Sequence, residues 1–184
     1  MKKLFFISLL GLFVFGCNNK GANEATASAD STKSTAPSSA ALVYPYTLDE
    51  PYKDWQPGDQ QHAVNAMKAV KAFETGDIDA CVSYFADSVE IRFDYLQAKF
   101  SKDSLKKFFA NERSNYSSVI IKMSDWESVI SQDKKTEYVT MWYKQIMTDK
   151  KGKTDSLAVI NDCKIVNGKI AELDEKIQHF QVKK

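Results

Sequence analysis

The chain has 184 residues, 25 Lys and Arg against 24 Asp and Glu, and 43% hydrophobic residues. That composition suits a soluble globular protein and excludes a disordered, collagenous or polytopic membrane one. A formal net charge of +1 leaves no basic excess to attract nucleic acid, so none is expected as a partner. The composition is uneven along the chain: Pro37, Pro45, Pro51 and Pro57 are its 4 prolines, and none follows.

The chain opens Met1-Lys2-Lys3 and runs uncharged from Leu4 to Gly16. A short basic start before an apolar run of that length reads as a secretory signal, too short to span a bilayer stably. The run ends Val14-Phe15-Gly16-Cys17. This resembles the bacterial lipoprotein lipobox, with an aliphatic residue, a small residue and then Cys; Phe15 is bulkier than the usual residue between them. The resemblance implies a signal peptide over residues 1–16, acylation of Cys17, the lipid bilayer as a partner, and a place in the bacterial cell envelope. Each buried CH₂ of an acyl chain contributes about 0.8 kcal/mol, so several chains hold a protein on a membrane. Residues 18–41 contain no Val, Ile, Leu, Met or aromatic residue. Such a segment buries too little surface to offset chain entropy and is expected to be a disordered tether, reaching about 25–30 Å root-mean-square. Residues 42–58 place Tyr44, Tyr46, Tyr52 and Trp55 among prolines. Proline blocks helix and central strand, so an extended arm is expected. Two readings stay open for it: packing on the domain surface, or a lid or partner contact.

The folded domain is expected over residues 59–184. Asp59 is a good N-cap, Ala63, Ala66, Met67, Val70 and Phe73 recur at helical spacing, and Gly76 supplies a left-handed C-cap. Asp77 caps a second, short helix carrying Ile78, Cys81, Val82 and Phe85 on one face. Val89, Ile91 and Phe93 then alternate with polar residues as in a strand, and a second short strand is expected near residues 97–100. Ser101 caps a third helix bearing Leu105, Phe108 and Phe109. From Ser118 the period becomes two, predicting strands at about 118–130, 136–148, 156–166 and 169–181. Asn167-Gly168 between the last two is a type I′ hairpin signal.

Two stretches carry a resemblance, AVKAFETGDIDACVSYFADSVEIRF (residues 69–93) and VINDCKIVNGKIAEL (residues 159–173). They resemble the nuclear transport factor 2-like superfamily, which includes SnoaL-like and ketosteroid isomerase-like proteins, over roughly residues 59–181. The resemblance implies an α+β fold: three N-terminal helices packed in a strongly curved, mostly antiparallel sheet, a cone-like barrel with a pocket at its open end. It is specific for fold and weak for function, because this fold hosts enzymes, ligand binders and dimerisation modules.

In the last strand Ala171, Leu173, Glu175, Ile177 and His179 share the more apolar face, expected to meet the helices. A carboxylate there has a raised pKa unless paired, so Glu175, with His179, is the candidate catalytic group. SnoaL-like cyclases carry a His and an acidic residue on this strand; here Leu173 stands at the nearest match to the His. Strand position makes Asp94, Trp126, Trp142 and Asp162 candidate ligand-binding residues, and His62 joins them from the edge of the first helix. A lone His near an apolar face is more often a hydrogen-bonded core residue, and Glu175 has a solvated or salt-bridged reading as well. Both faces of residues 138–147 are apolar, predicting a homodimer through the outer one. Cys81 and Cys163 either pair or sit as buried small hydrophobes. With no CxxC, HxxxH, HExxH, G-x-S-x-G or phosphate-binding Gly-rich loop, no metal or cofactor is expected. The preferred reading is a membrane-anchored, non-catalytic domain that binds a small apolar ligand or a protein partner. The alternative is an isomerase, dehydratase or cyclase-type enzyme using a pocket carboxylate.

Overall fold

Helix capping sets the first turn of the domain. In this structure, a computed structural model that describes residues 44–48 and 50–180, Asp59 is extended and accepts the Gln61 backbone N–H. The signal peptide, Cys17 and the tether lie outside the described residues. Helix α1 (Gln60–Thr75) closes at Gly76 with φ 84°, where the Gly76 N–H reaches the carbonyls of Ala72 and Phe73. Its buried stripe is Ala63, Ala66, Ala69 and Ala72, while Met67, Val70 and Phe73 flank it partly buried. Small residues on that stripe let the helix lie close against the sheet.

Helix α2 (Ile78–Ser83) is capped by the Asp77 carboxylate on the Ala80 N–H. Helical spacing placed Phe85 on this helix, but the helix stops at Tyr84. The Tyr84 carbonyl accepts the Ile170 N–H at 3.0 Å, and Phe85 instead begins a strand. A hairpin of β2 (Phe85–Phe93) and β3 (Leu96–Ser101) follows, then α3 (Lys102–Ser114), capped by Ser101. The long strands are β4 (Tyr116–Ile130), β5 (Glu137–Asp149), β6 (Thr154–Val166) and β7 (Lys169–His179). Asn167 (φ 51°) and Gly168 (φ 72°) both adopt the left-handed conformation that a type I′ turn requires.

One seven-stranded sheet results, ordered β1-β4-β5-β6-β7-β2-β3, where β1 is the short pairing of Gln56–Pro57 with Ile130 and Val129. Only β2 and β7 pair in parallel among the described strands. The fold is α+β with a curved, mostly antiparallel sheet, as expected, but its helices are not all N-terminal: α3 follows the β2–β3 hairpin. Pairing of β1 draws the end of the aromatic–proline segment onto the domain. The Gln132 N–H donates to the Lys53 carbonyl at 3.0 Å, and the Trp55 ring meets Tyr138 edge-on at 6.0 Å. Gly58 allows this approach: a Cβ there would stand 2.5 Å from Ser128 Oγ and 2.9 Å from the Val129 nitrogen.

Register decides which side chains enter the cone. Glu175 lies opposite Asn161, Asn161 opposite Met141, and Leu173 opposite Cys163. An irregularity between Lys164 and Ile165 shifts the pairing near the last turn. It buries Ile170, at 3% exposure, in place of Ala171, the inward residue that strict alternation predicts.

Candidate functional site

Alanines along α1, an aromatic cluster on α3 and the concave face of β5–β7 enclose a cavity of about 430 Å³. Its walls are mainly apolar. Phe73 packs edge-on against Phe109 at 5.9 Å and Phe109 edge-on against Phe85 at 5.5 Å, while Phe108 lies tilted against Phe93 at 6.0 Å. These contacts, one between α1 and α3 and two between α3 and β2, place the rings around the space.

Three of its polar groups, Tyr143, Asn161 and Glu175, sit on the neighbouring strands β5, β6 and β7. Asn161, only 4% exposed, donates from Nδ2 to the Tyr143 hydroxyl at 2.9 Å. Its Oδ1 is buried with no hydrogen-bond partner among the described residues. An unmade bond of this kind costs about 1–3 kcal/mol, so it asks for a donor from outside the chain. Glu175, from β7, lines the same cavity beside Leu173 and Ile177. Burial pushes its carboxyl up to about 7, and the negative charge of Asp94 adds to the rise. The Tyr143 phenol is held well above its ordinary value, first by burial and then by the Glu175 charge, so it is a neutral hydroxyl. Because that oxygen already accepts from Asn161, its proton remains available to a ligand. Nearer the rim, Tyr95 is pushed up to about 12 by loss of solvation and by the carboxylates of Glu112, Glu175 and Asp94. Cys81 and Cys163 line the cavity as free thiols. Burial raises both to about 12, with Asp77 adding for Cys81 and Asp162 then Glu175 for Cys163; both are protonated and poor nucleophiles.

Of the candidates from sequence, only Glu175 lines this cavity. Asp94 is exposed in the β2–β3 turn and acts on Glu175 through its charge. His179 sits at the end of β7, largely exposed, 3.9 Å from Asp155. His62 Nδ1 meets Glu137 Oε1 at 2.5 Å and belongs to that pair. Asp162 faces outward, accepting from Thr140 Oγ1 at 2.7 Å and pairing with Lys176 at 2.9 Å. Trp142 alternates with the buried Met141 and Tyr143 and so lies on the outer face. Trp126 borders a separate surface groove with Trp55 and Gln60. Asn161 was missed, although the sequence carries a signal for it: it interrupts the inward series Leu157, Val159, Cys163, Ile165. Among the described residues no group of three or more His, Cys, Asp and Glu is placed to hold a metal ion.

No sequence-family model and no curated protein matches the chain. Solved structures do match its fold. A cystatin fold protein from Novosphingobium aromaticivorans aligns with TM-score 0.53 at 16% identity, over 62% of this chain and 97% of that one. A nuclear transport factor 2-like protein of unknown function from an Exiguobacterium species aligns with TM-score 0.51 at 15% identity, over 62% and 98%. The fold is that of the nuclear transport factor 2-like proteins. A third similar structure is SalBIII, described as an epoxide hydrolase/cyclase-like enzyme with a role in pyran ring formation in the polyether salinomycin; it aligns with TM-score 0.54 at 17% identity, over 65% and 92%. At these identities the likeness concerns the nuclear transport factor 2-like fold alone.

Proposed function

We propose that this domain binds a small, mainly apolar molecule inside the cone, with the molecule's polar end against Asn161, Tyr143 and Glu175. One observation carries the reading: an aromatic-walled cavity of about 430 Å³ is lined by Asn161, whose buried side-chain oxygen no described group satisfies. Pockets of this size with a few convergent polar groups are the usual form of small-molecule sites. The test is calorimetry with naphthylethanol as the probe. One saturable site per chain is expected, lost in Met147→Trp, which fills the cavity from a partly buried lining position. Unchanged binding to that variant would place the probe elsewhere and overturn the reading.

A second reading, proton transfer on the bound molecule, is favoured by Glu175. A carboxyl held up to about 7 both accepts and returns a proton near neutral pH. The name of SalBIII fits such chemistry on this fold. Under this reading Glu175→Gln lowers turnover by about 10²–10⁴-fold.

The domain acts, in this proposal, at a membrane surface of the bacterial envelope, tethered through acylated Cys17. The support is the uncharged run ending Val14-Phe15-Gly16-Cys17. Cys17→Ser should move the protein from the membrane to the soluble fraction; unchanged fractionation would refute the anchor.

A further inference from the structure

We propose that the cavity's ligand is an organic cation, a protonated amine on an apolar body, held between Asn161 Oδ1 and the Glu175 carboxylate, with Glu112 adding negative charge to the cavity wall. The inference rests on the cavity reading above and names its ligand class. Two carboxylates line the cavity, Glu112 from α3 and Glu175 from β7, and no Lys, Arg or His lines it. Neither carboxylate makes an ion pair or a side-chain hydrogen bond among the described residues. Arg113 follows Glu112 directly, yet its guanidinium is engaged by the backbone carbonyls of Phe73, Glu74 and Tyr116.

The groups around Glu175 are acidic or neutral on every side. Asp94 and Tyr95 come from the β2–β3 turn, Tyr143 from β5, and Asn161 and Cys163 from β6, while Glu112 of α3 lies by Tyr95 in the same cavity wall. Excess negative charge alone would be an ordinary acidic cluster. The independent observation is Asn161: it is 96% buried by its 4% exposure, and its free oxygen accepts but cannot donate. An ammonium brings several N–H donors, enough for that oxygen and a carboxylate together. Phe73, Phe93 and Phe108 line the cavity and suit the apolar body. A neutral ligand would leave the carboxylates uncompensated, and an anion would be repelled.

Binding is therefore coupled to Glu175. Below about pH 7 its carboxyl is mainly protonated, and an arriving cation favours the ionised form. The proton leaves to solvent while the ammonium keeps its own.

The experiment compares three probes of one shape by calorimetry: naphthylethylamine, naphthylethanol and naphthylacetate. At about pH 8 the amine should bind about tenfold more tightly than the alcohol, with the acetate weakest. The gap should narrow near pH 5, and amine binding near pH 6.5 should release protons, seen as heats that depend on buffer ionisation. Glu175→Gln should remove most of the amine's advantage over the alcohol at about pH 8. If alcohol and amine saturate one site equally, or the acetate binds most tightly, the cation inference falls and the cavity reading stands. If none of the three saturates a site, both fall.

Discussion

Glu175 links the site to stability. Its folded-state value of about 7 lies above the ordinary 4.5, so the folded chain holds this proton more tightly than the unfolded chain. Between those two values the native state carries the extra proton, and stability falls as pH rises. The loss is complete above the folded value and amounts to roughly 3–4 kcal/mol at about 1.4 kcal/mol per unit. Glu175→Gln removes the titration. It should stabilise the empty domain by about 1–3 kcal/mol at pH 8 and by little at pH 4, read from urea unfolding at each pH. An equal gain at both pH values would show that charge burial is not the cause. Retention of a residue with this cost fits a group kept for its partner rather than for the fold.

At the scale of elements, the segment before α1 depends on a side chain that is absent. Gly58 donates its N–H to the Ser128 carbonyl at 2.8 Å, and Ser128 Oγ donates to the Asp59 carbonyl at 3.0 Å. Gly58→Ala drives a methyl into that contact and should cost about 1–3 kcal/mol, with faster amide exchange at positions 56 and 58. A melting temperature equal to that of the unaltered chain would show that the strand edge yields freely.

Caps and turns of this kind are legible in sequence because their causes are local. Asp59, Gly76, Asp77, Ser101 and Asn167-Gly168 each act within one turn of chain, and the corresponding ends fall where they predict. The shift at Lys164/Ile165 and the parallel β2–β7 pairing have no such local cause, since they arise when distant segments meet. The inward position of Glu175 follows from alternation, because β7 is regular beyond that shift. Its partnership with Asn161 depends on cross-strand register, which no single strand's pattern contains.

For the whole molecule, the last strand completes the cone. β7 pairs with β6 on one side and, in parallel, with β2 on the other, so Ile91 lies opposite Leu173 although they are far apart in sequence. The same strand delivers Glu175, so the cavity takes shape only as the barrel closes. Outside the cone, Ile120 faces Ile146 across β4–β5 and Trp142 faces Ile160 across β5–β6. Ile120 is 46% exposed. Such a patch favours burial against a second copy, and sedimentation at micromolar concentration should report a dimer weakened by Trp142→Lys. A monomer at high concentration would refute the pairing.

The division of aromatic residues between inside and outside has an optical consequence. Tyr95, Tyr116 and Tyr143 line the cavity, whereas Trp55, Trp126 and Trp142, the chain's 3 tryptophans, do not. A molecule entering the cone therefore meets phenols and no indoles. Occupancy registers as a tyrosine difference spectrum, while tryptophan emission follows the arm, the groove beside β4 and the outer face. Filling of the site and contacts at the surface are separable by wavelength in a single cuvette, without any label.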